Sequence, residues 1–141
     1  MIAGSWLRLR ILLLAVILTV AEPLHAEYLR IQLRVYGLDC GLCARGVAAS
    51  VQRLAGVKSV DVNLKAGLLK LELSPGNTFK MIKLRKVIRE NGFRSLEATI
   101  TAVGHFNTAS RFEVTGSDET YDVPRQVGKD NGPMEVTFSV R

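Results

Sequence analysis

Apolar and polar residues alternate over residues 28–36, with Leu29, Ile31, Leu33 and Val35 on one side and Arg30, Gln32 and Arg34 on the other. A period of two predicts a half-buried strand. Over residues 42–55 the spacing becomes helical: Val47, Val51 and Leu54, with the small Ala44 and Ala48, form one stripe, and Gly56 stands as the stop. Alternation returns at Val60, Val62 and Leu64, then at Leu69, Leu71 and Leu73 across a Lys65-Ala66-Gly67 turn, which predicts a hairpin. After the breaker Ser74-Pro75-Gly76-Asn77, Thr78 is placed to cap a second helix. Its inner face carries Met81, Leu84, Val87 and Ile88, and Asn91-Gly92 ends it. A fourth strand follows from Phe93. The order β-α-β-β-α-β predicts an α+β fold over residues 27–97: a ferredoxin-like sandwich of four antiparallel strands with two helices on one face.

Residues 98–141 form a β-rich extension. Short strands are predicted over residues 98–103, 111–115, 120–123 and 134–140, with a hairpin turn at Gly116-Ser117-Asp118-Glu119 and a polar loop over residues 127–133. Residues 97–102 are equally suited to prolong the fourth strand. The sequence assigns this extension no function.

Ahead of the first strand, residues 1–26 have the pattern of a secretory signal peptide. Arg8 and Arg10 make a basic start, residues 11–21 are apolar or small apart from Thr19, and Leu24-His25-Ala26 ends in a small residue suited to cleavage. The mature protein is expected to begin near Glu27, in a periplasmic or extracellular setting. The apolar run is shorter than the ~20 residues a bilayer span needs, which disfavours an uncleaved anchor. No cysteine near the cleavage point offers a lipid attachment site.

The only two cysteines, Cys40 and Cys43, lie in Gly37-Leu38-Asp39-Cys40-Gly41-Leu42-Cys43, where the strand pattern gives way to the helix pattern. Thiols three positions apart at a helix start can turn towards one point, and the unpaired N–H groups and positive dipole end there favour the thiolate. Soft thiolates suit Cu(I), Hg(II), Zn(II) and Cd(II), whereas Mg and Ca prefer oxygen. An oxidising compartment also permits a disulfide. It would be a weak staple, since closing so short a loop removes only about 2 kcal/mol of unfolded-chain entropy. Cys-x-x-Cys alone is shared by metal-binding and redox proteins.

Taken together, these residues resemble the heavy-metal-associated domain family, whose loop motif is Gly-Met-x-Cys-x-x-Cys. Gly37, Cys40 and Cys43 fall on that motif. The segment Gly56-Val57-Lys58-Ser59-Val60-Asp61-Val62-Asn63-Leu64 resembles the family's second strand, and Asn91-Gly92-Phe93 its second helix end. The resemblance covers residues 27–97. It implies that Cys40 and Cys43 bind one soft metal ion, Cu(I) or Hg(II) ahead of Zn(II) or Cd(II), and that Leu38 replaces the family's methionine as the apolar plug beneath the loop. Phe93 matches a position near the metal, where it would shield the site, and is equally suited to be an ordinary core residue. Asp39 resembles the residue that joins the cysteines as a ligand in zinc-, cadmium- and lead-exporting ATPases. Asp is also a common helix cap, so ligand and cap both stay open. Exported relatives resemble mercury-binding proteins and copper chaperones, which hand an ion from one cysteine pair to another.

Charge divides the chain at the same place. Residues 27–97 hold 13 Lys and Arg against 6 Asp and Glu, whereas residues 98–141 hold 4 against 6. Lys80, Lys83, Arg85, Lys86 and Arg89 gather on the second helix, suited either to a solvated face or to steering an acidic partner domain or a membrane metal transporter. Nucleic acid is not expected as a partner, because no aromatic residues interleave the basic ones. No acid–base pair, nucleophile–base spacing or phosphate loop points to an enzyme. His105 has no spaced partner, and Met81 and Met134 are too isolated for a methionine copper site. Two other readings remain: a thiol–disulfide redox protein, and a binding module whose extension carries the function.

Overall fold

The computed structural model describes residues 27–107, 110–124 and 134–141. The predicted signal segment, with His25, and the predicted polar loop at residues 127–133 lie outside them. The elements run β1 (Glu27–Tyr36), α1 (Gly41–Gln52), β2 (Val57–Asn63), β3 (Leu68–Leu73), α2 (Met81–Glu90), β4 (Arg94–Phe106), β5 (Arg111–Val114), β6 (Glu119–Asp122) and β7 (Met134–Val140). All the strand pairings are antiparallel, in the order β2-β3-β1-β4-β5-β6, with β7 also paired to β4. The first four strands and both helices make the expected ferredoxin-like sandwich. No helix among the described residues is long and apolar enough to cross a membrane.

One core runs through the described residues. Ile31, Leu33 and Val35 of β1, Leu69 and Leu71 of β3, and Ala98 and Ile100 of β4 meet Val47 and Val51 of α1 and Leu84 and Ile88 of α2, all buried. Each fully buried aliphatic side chain contributes about 1.5–3 kcal/mol. β4 continues unbroken through Glu97 as far as Phe106, so the expected boundary between domain and extension falls inside a strand. Beyond it, Phe112 packs edge-on against Phe106 and Phe138, and Tyr121 packs on Phe138, which extends the same core.

Three local expectations need correction. A register shift between Tyr28 and Arg30 makes Leu29 the extra residue of a bulge, so Tyr28 rather than Leu29 turns into the core. Gly56 is not the stop of α1, which ends at Gln52 with Arg53 as its C-cap. It sits at φ +88° against Asn77, where a Cβ would come within 2.7 Å of the Asn77 Cβ. Buried Asn77 holds that corner by donating to the carbonyls of Tyr28 (2.8 Å) and Ser74 (2.9 Å). Lastly, Thr78 does not cap α2. The N-cap residue is Lys80, without a side-chain hydrogen bond. The Glu119 carboxylate of β6 takes that duty, accepting from the N–H groups of Met81 (2.9 Å) and Ile82 (3.2 Å). Tyr28 OH donates to the same carboxylate.

Candidate metal centre

The cysteine loop is built by its neighbours. Gly37 takes φ +81°, in the left-handed region that costs glycine little, and so releases β1 into the loop. Leu38, the next residue, is buried. Cys40, in extended conformation, is the N-cap of α1; its Sγ accepts from the Cys43 N–H at 3.2 Å, and its carbonyl accepts the first helical bond from Ala44 at 2.9 Å. The two sulfurs are joined as a disulfide, with Cα atoms 5.1 Å apart, and both residues are half-buried. The first turn of α1 holds no acidic side chain, so its positive end acts on the sulfurs without a carboxylate inside the helix to offset it.

Asp39 lies one position before the cap. Its side chain is exposed and makes no hydrogen bond or ion pair among the described residues, so Cys40 has the capping role considered for Asp39. No cluster of three or more His, Cys, Asp or Glu side chains stands ready for a metal among the described residues. The loop thus holds two sulfurs, which only reduction of the disulfide would turn into thiolate donors, with one free carboxylate adjacent in sequence.

Phe93 closes α2 and borders the loop at once. Gly92 N–H donates to Arg89 O at 2.9 Å and Phe93 N–H to Ile88 O at 3.1 Å, the paired bonds of a Schellman motif. The half-buried Phe93 ring lies 3.9 Å from where a Cβ on Gly37 would stand. Phe93 thus ends the helix and packs near Gly37 of the cysteine loop. Around the loop, Leu42 is 76% exposed and Tyr36 63% exposed, with the Arg94 guanidinium 4.9 Å from the Tyr36 ring centre.

The basic residues of α2 are largely engaged. Lys80 faces Asp118 at 3.6 Å, Lys86 pairs with Glu90 at 3.7 Å, and Arg85 donates to Ser95 Oγ and Leu96 O, both at 3.1 Å. Lys83 and Arg89 stay exposed. His105 faces Glu113 across β4 and β5 at 3.8 Å, away from the cysteines in the fold.

A second titratable cluster, missed in the sequence, sits at the start of α2. The hydroxyls of Tyr28 and Tyr121 lie 2.7 Å apart beside Glu119. Burial, with the Glu119 carboxylate adding to it, pushes Tyr121 up to about 12. Tyr28 is raised further, first by burial and then by Tyr121 and Glu119. No local pattern marks this cluster, since Tyr28 stands 91 positions from Glu119 and 93 from Tyr121.

Residues 32–94 match the sequence model of the heavy-metal-associated domain. The chain carries a heavy-metal-associated domain. Solved structures similar to it include a CopZ metallochaperone (25% identity, TM-score 0.45, covering 48% of this chain and 98% of that one). A copper-binding domain from HMA7, a P-type ATPase, is similar at 25% identity and TM-score 0.44, covering 48% and 90% of the two chains. Oxidized MerP from Ralstonia metallidurans CH34 is similar at 23% identity and TM-score 0.45, covering 50% and 96%. No curated protein matches the chain. In the heavy-metal-associated domain of this chain, the two cysteines stand at the junction of β1 and α1, and the matched segment ends at the first residue of β4.

Proposed function

We propose that the protein is an exported carrier or scavenger of one soft heavy-metal ion, held as cargo between the thiolates of Cys40 and Cys43. The observation that carries this reading is two sulfurs within bonding reach of each other at a helix start with no acid in its first turn, inside a heavy-metal-associated domain. Two thiolates satisfy a linear Cu(I) or Hg(II) ion, whereas Zn(II) or Cd(II) seeks four ligands and accepts oxygen. Asp39, free and exposed, is the carboxylate such an ion would recruit.

Carriage of this kind needs no reaction on a substrate, and the protein is read as a non-enzyme. Export rests on the signal-like pattern of residues 1–26. A membrane metal transporter or an acidic partner domain would receive the ion, steered by Lys83 and Arg89, the two basic residues of α2 left exposed without a charge partner. The test is mass spectrometry of the reduced protein after exposure to a mixture of metals. One Cu(I) or Hg(II) per chain, lost in Cys40→Ser, is the expected result, and a chain that retains no metal overturns the proposal.

The paired state of the cysteines favours one second reading, a thiol–disulfide redox protein. Catalysed reduction of insulin by the metal-free protein, together with no metal retention, would decide for it.

A further inference from the structure

The two broad faces of the molecule differ in how their charges are arranged. On the open face of the sheet opposite signs stand side by side, with Glu72 opposite Arg30 and Asp61 opposite Lys70. The helix face lacks that balance. Its exposed charged side chains on α1, the α1 cap and α2 are Arg45, Arg53, Lys83, Lys86, Arg89 and Glu90, five bases and one acid. Lys86 holds Glu90 at 3.7 Å, and Arg45, Arg53, Lys83 and Arg89 have no ion-pair partner among the described residues. Helical spacing sets these side chains away from the sheet: Leu42, Arg45, Ala49 and Arg53 follow at i, i+3, i+7 and i+11, and Ile82, Lys86 and Arg89 at i, i+4 and i+7, all exposed.

Each line begins with a bulky aliphatic residue left in water, Leu42 at 76% exposed and Ile82 at 69%. β1 and β2 both run antiparallel to β3, and β3 and β4 both run antiparallel to β1, so α1 and α2 return in opposite directions. Leu42 and Ile82 therefore stand at opposite ends of the face. The helices lie side by side, with Ser50 Oγ donating to Asn91 Oδ1 at 3.3 Å. We propose that this helix face docks on an anionic phospholipid surface, with Leu42 and Ile82 entering the headgroup layer and the bases lying against the phosphates. The sign of the charge selects a negative partner, and the layout selects a bilayer. A protein partner is held by aromatic or arginine anchors packed at the centre of its contact. These helices carry no aromatic residue, the middle of α1 presents Gly46 and Ala49, and the large apolar side chains are at the rim. A lipid surface offers negative charge across the whole area and apolar depth beneath any point of it. A basic patch and a shallow insertion are each weak alone, and together they give a reversible, salt-sensitive attachment. Leu42 lies between Cys40 and Cys43, so docking brings the sulfurs to the membrane surface. Docking needs no metal, and so stands apart from carriage of the ion.

The test is co-sedimentation with vesicles of the protein recovered from cells expressing the full sequence. It carries Cys40→Ser and Cys43→Ser, so that metal and disulfide play no part and a failure leaves the metal reading untouched. Vesicles of mixed phosphatidylglycerol and phosphatidylcholine should pellet the protein, and vesicles of phosphatidylcholine alone should not. Raising salt from ~0.15 M to ~1 M, which shortens the screening length from about 8 to about 3 Å, should release it. Arg89→Glu should weaken binding at least about tenfold and Ile82→Ser about threefold or more, with circular dichroism unchanged. Arg34→Glu, on the open face of the sheet, should change it by less than about twofold. No pelleting, equal binding to both kinds of vesicle, a loss in Arg34→Glu as large as that in Arg89→Glu, or an Ile82→Ser variant that binds like the parent would each overturn the proposal. Stronger retention on immobilised polyglutamate than on the anionic vesicles would overturn it too, and assign the face to an acidic protein.

Discussion

The two helices begin in opposite ways. At α2 a carboxylate from β6, 38 residues beyond Met81 in sequence, accepts the first N–H groups and offsets the positive end of the helix. At α1 the acceptor is the Cys40 sulfur, a weak hydrogen-bond acceptor. A carboxylate cap, made from outside the helix, closes the α2 start and leaves it a fixed part of the scaffold. A sulfur cap leaves the α1 start open, so the helix field falls on the two cysteine sulfurs. The same backbone geometry becomes structural or chemical according to the atom set before it.

The largest effect should come from the open start. Replacing either Cys40 or Cys43 by Ser is expected to lower Cu(I) or Hg(II) affinity by at least about a hundredfold, ~2.7 kcal/mol, with the circular dichroism spectrum kept. Competition titration measures it; unchanged affinity in both variants would remove the thiolates from the site. Affinity should rise with pH, because thiols ionise on coordination, and the disulfide form should not bind.

The closed start should answer through stability instead. Glu119→Ala leaves two helix N–H groups and the Tyr28 hydroxyl without their acceptor, which should cost about 2–3 kcal/mol by urea unfolding. The metal affinity of the folded variant should stay within about twofold, as expected of independent sites. A hundredfold fall in affinity in Glu119→Ala would show that the two starts are coupled.

Asp39→Ala is the finer probe of α1. With Cys40 as the cap, stability should move by less than ~0.5 kcal/mol. Zn(II) or Cd(II) binding should weaken about tenfold, ~1.4 kcal/mol, while Cu(I) binding holds. Equal losses for all metals would deny Asp39 a place among the ligands. The smallest effect is expected in alkali. The folded state holds the Tyr121 proton up to about 12, whereas an unperturbed tyrosine releases it near 10.0, so stability present below pH 10 should fall between these values. Tyr121→Phe should flatten that fall in urea midpoints, and an identical slope in the variant would count against the assignment.

What the sequence could reveal was local. Alternation located the strands of the sandwich and of the extension, and the Asn91-Gly92 stop of α2 was legible because a Schellman ending needs only neighbouring residues. The cysteine loop between β1 and α1 was legible for the same reason, as seven consecutive residues. The bulge in β1 was not, since Tyr28 and Leu29 are both apolar and pattern alone does not choose between them. The choice is made by Glu119, which offers Tyr28 a partner 91 positions away. The basic face of α2 also read differently from sequence than from structure, because Arg85 finds its acceptors across space in β4.

The lock between β6 and α2 has a consequence for the order in which the chain folds. The acceptor for the N–H groups of Met81 and Ile82 is synthesised last among the partners in that lock, and the Tyr28–Glu119 contact closes a loop of 91 positions. Contacts of such separation form late, after the local hairpin and helices. The cysteine loop, made from neighbouring residues, can take shape well before α2 receives its cap. If that order holds, the cysteines of a new chain are in place while the scaffold behind them is unfinished, and metal and oxidant compete for the sulfurs before the fold is closed.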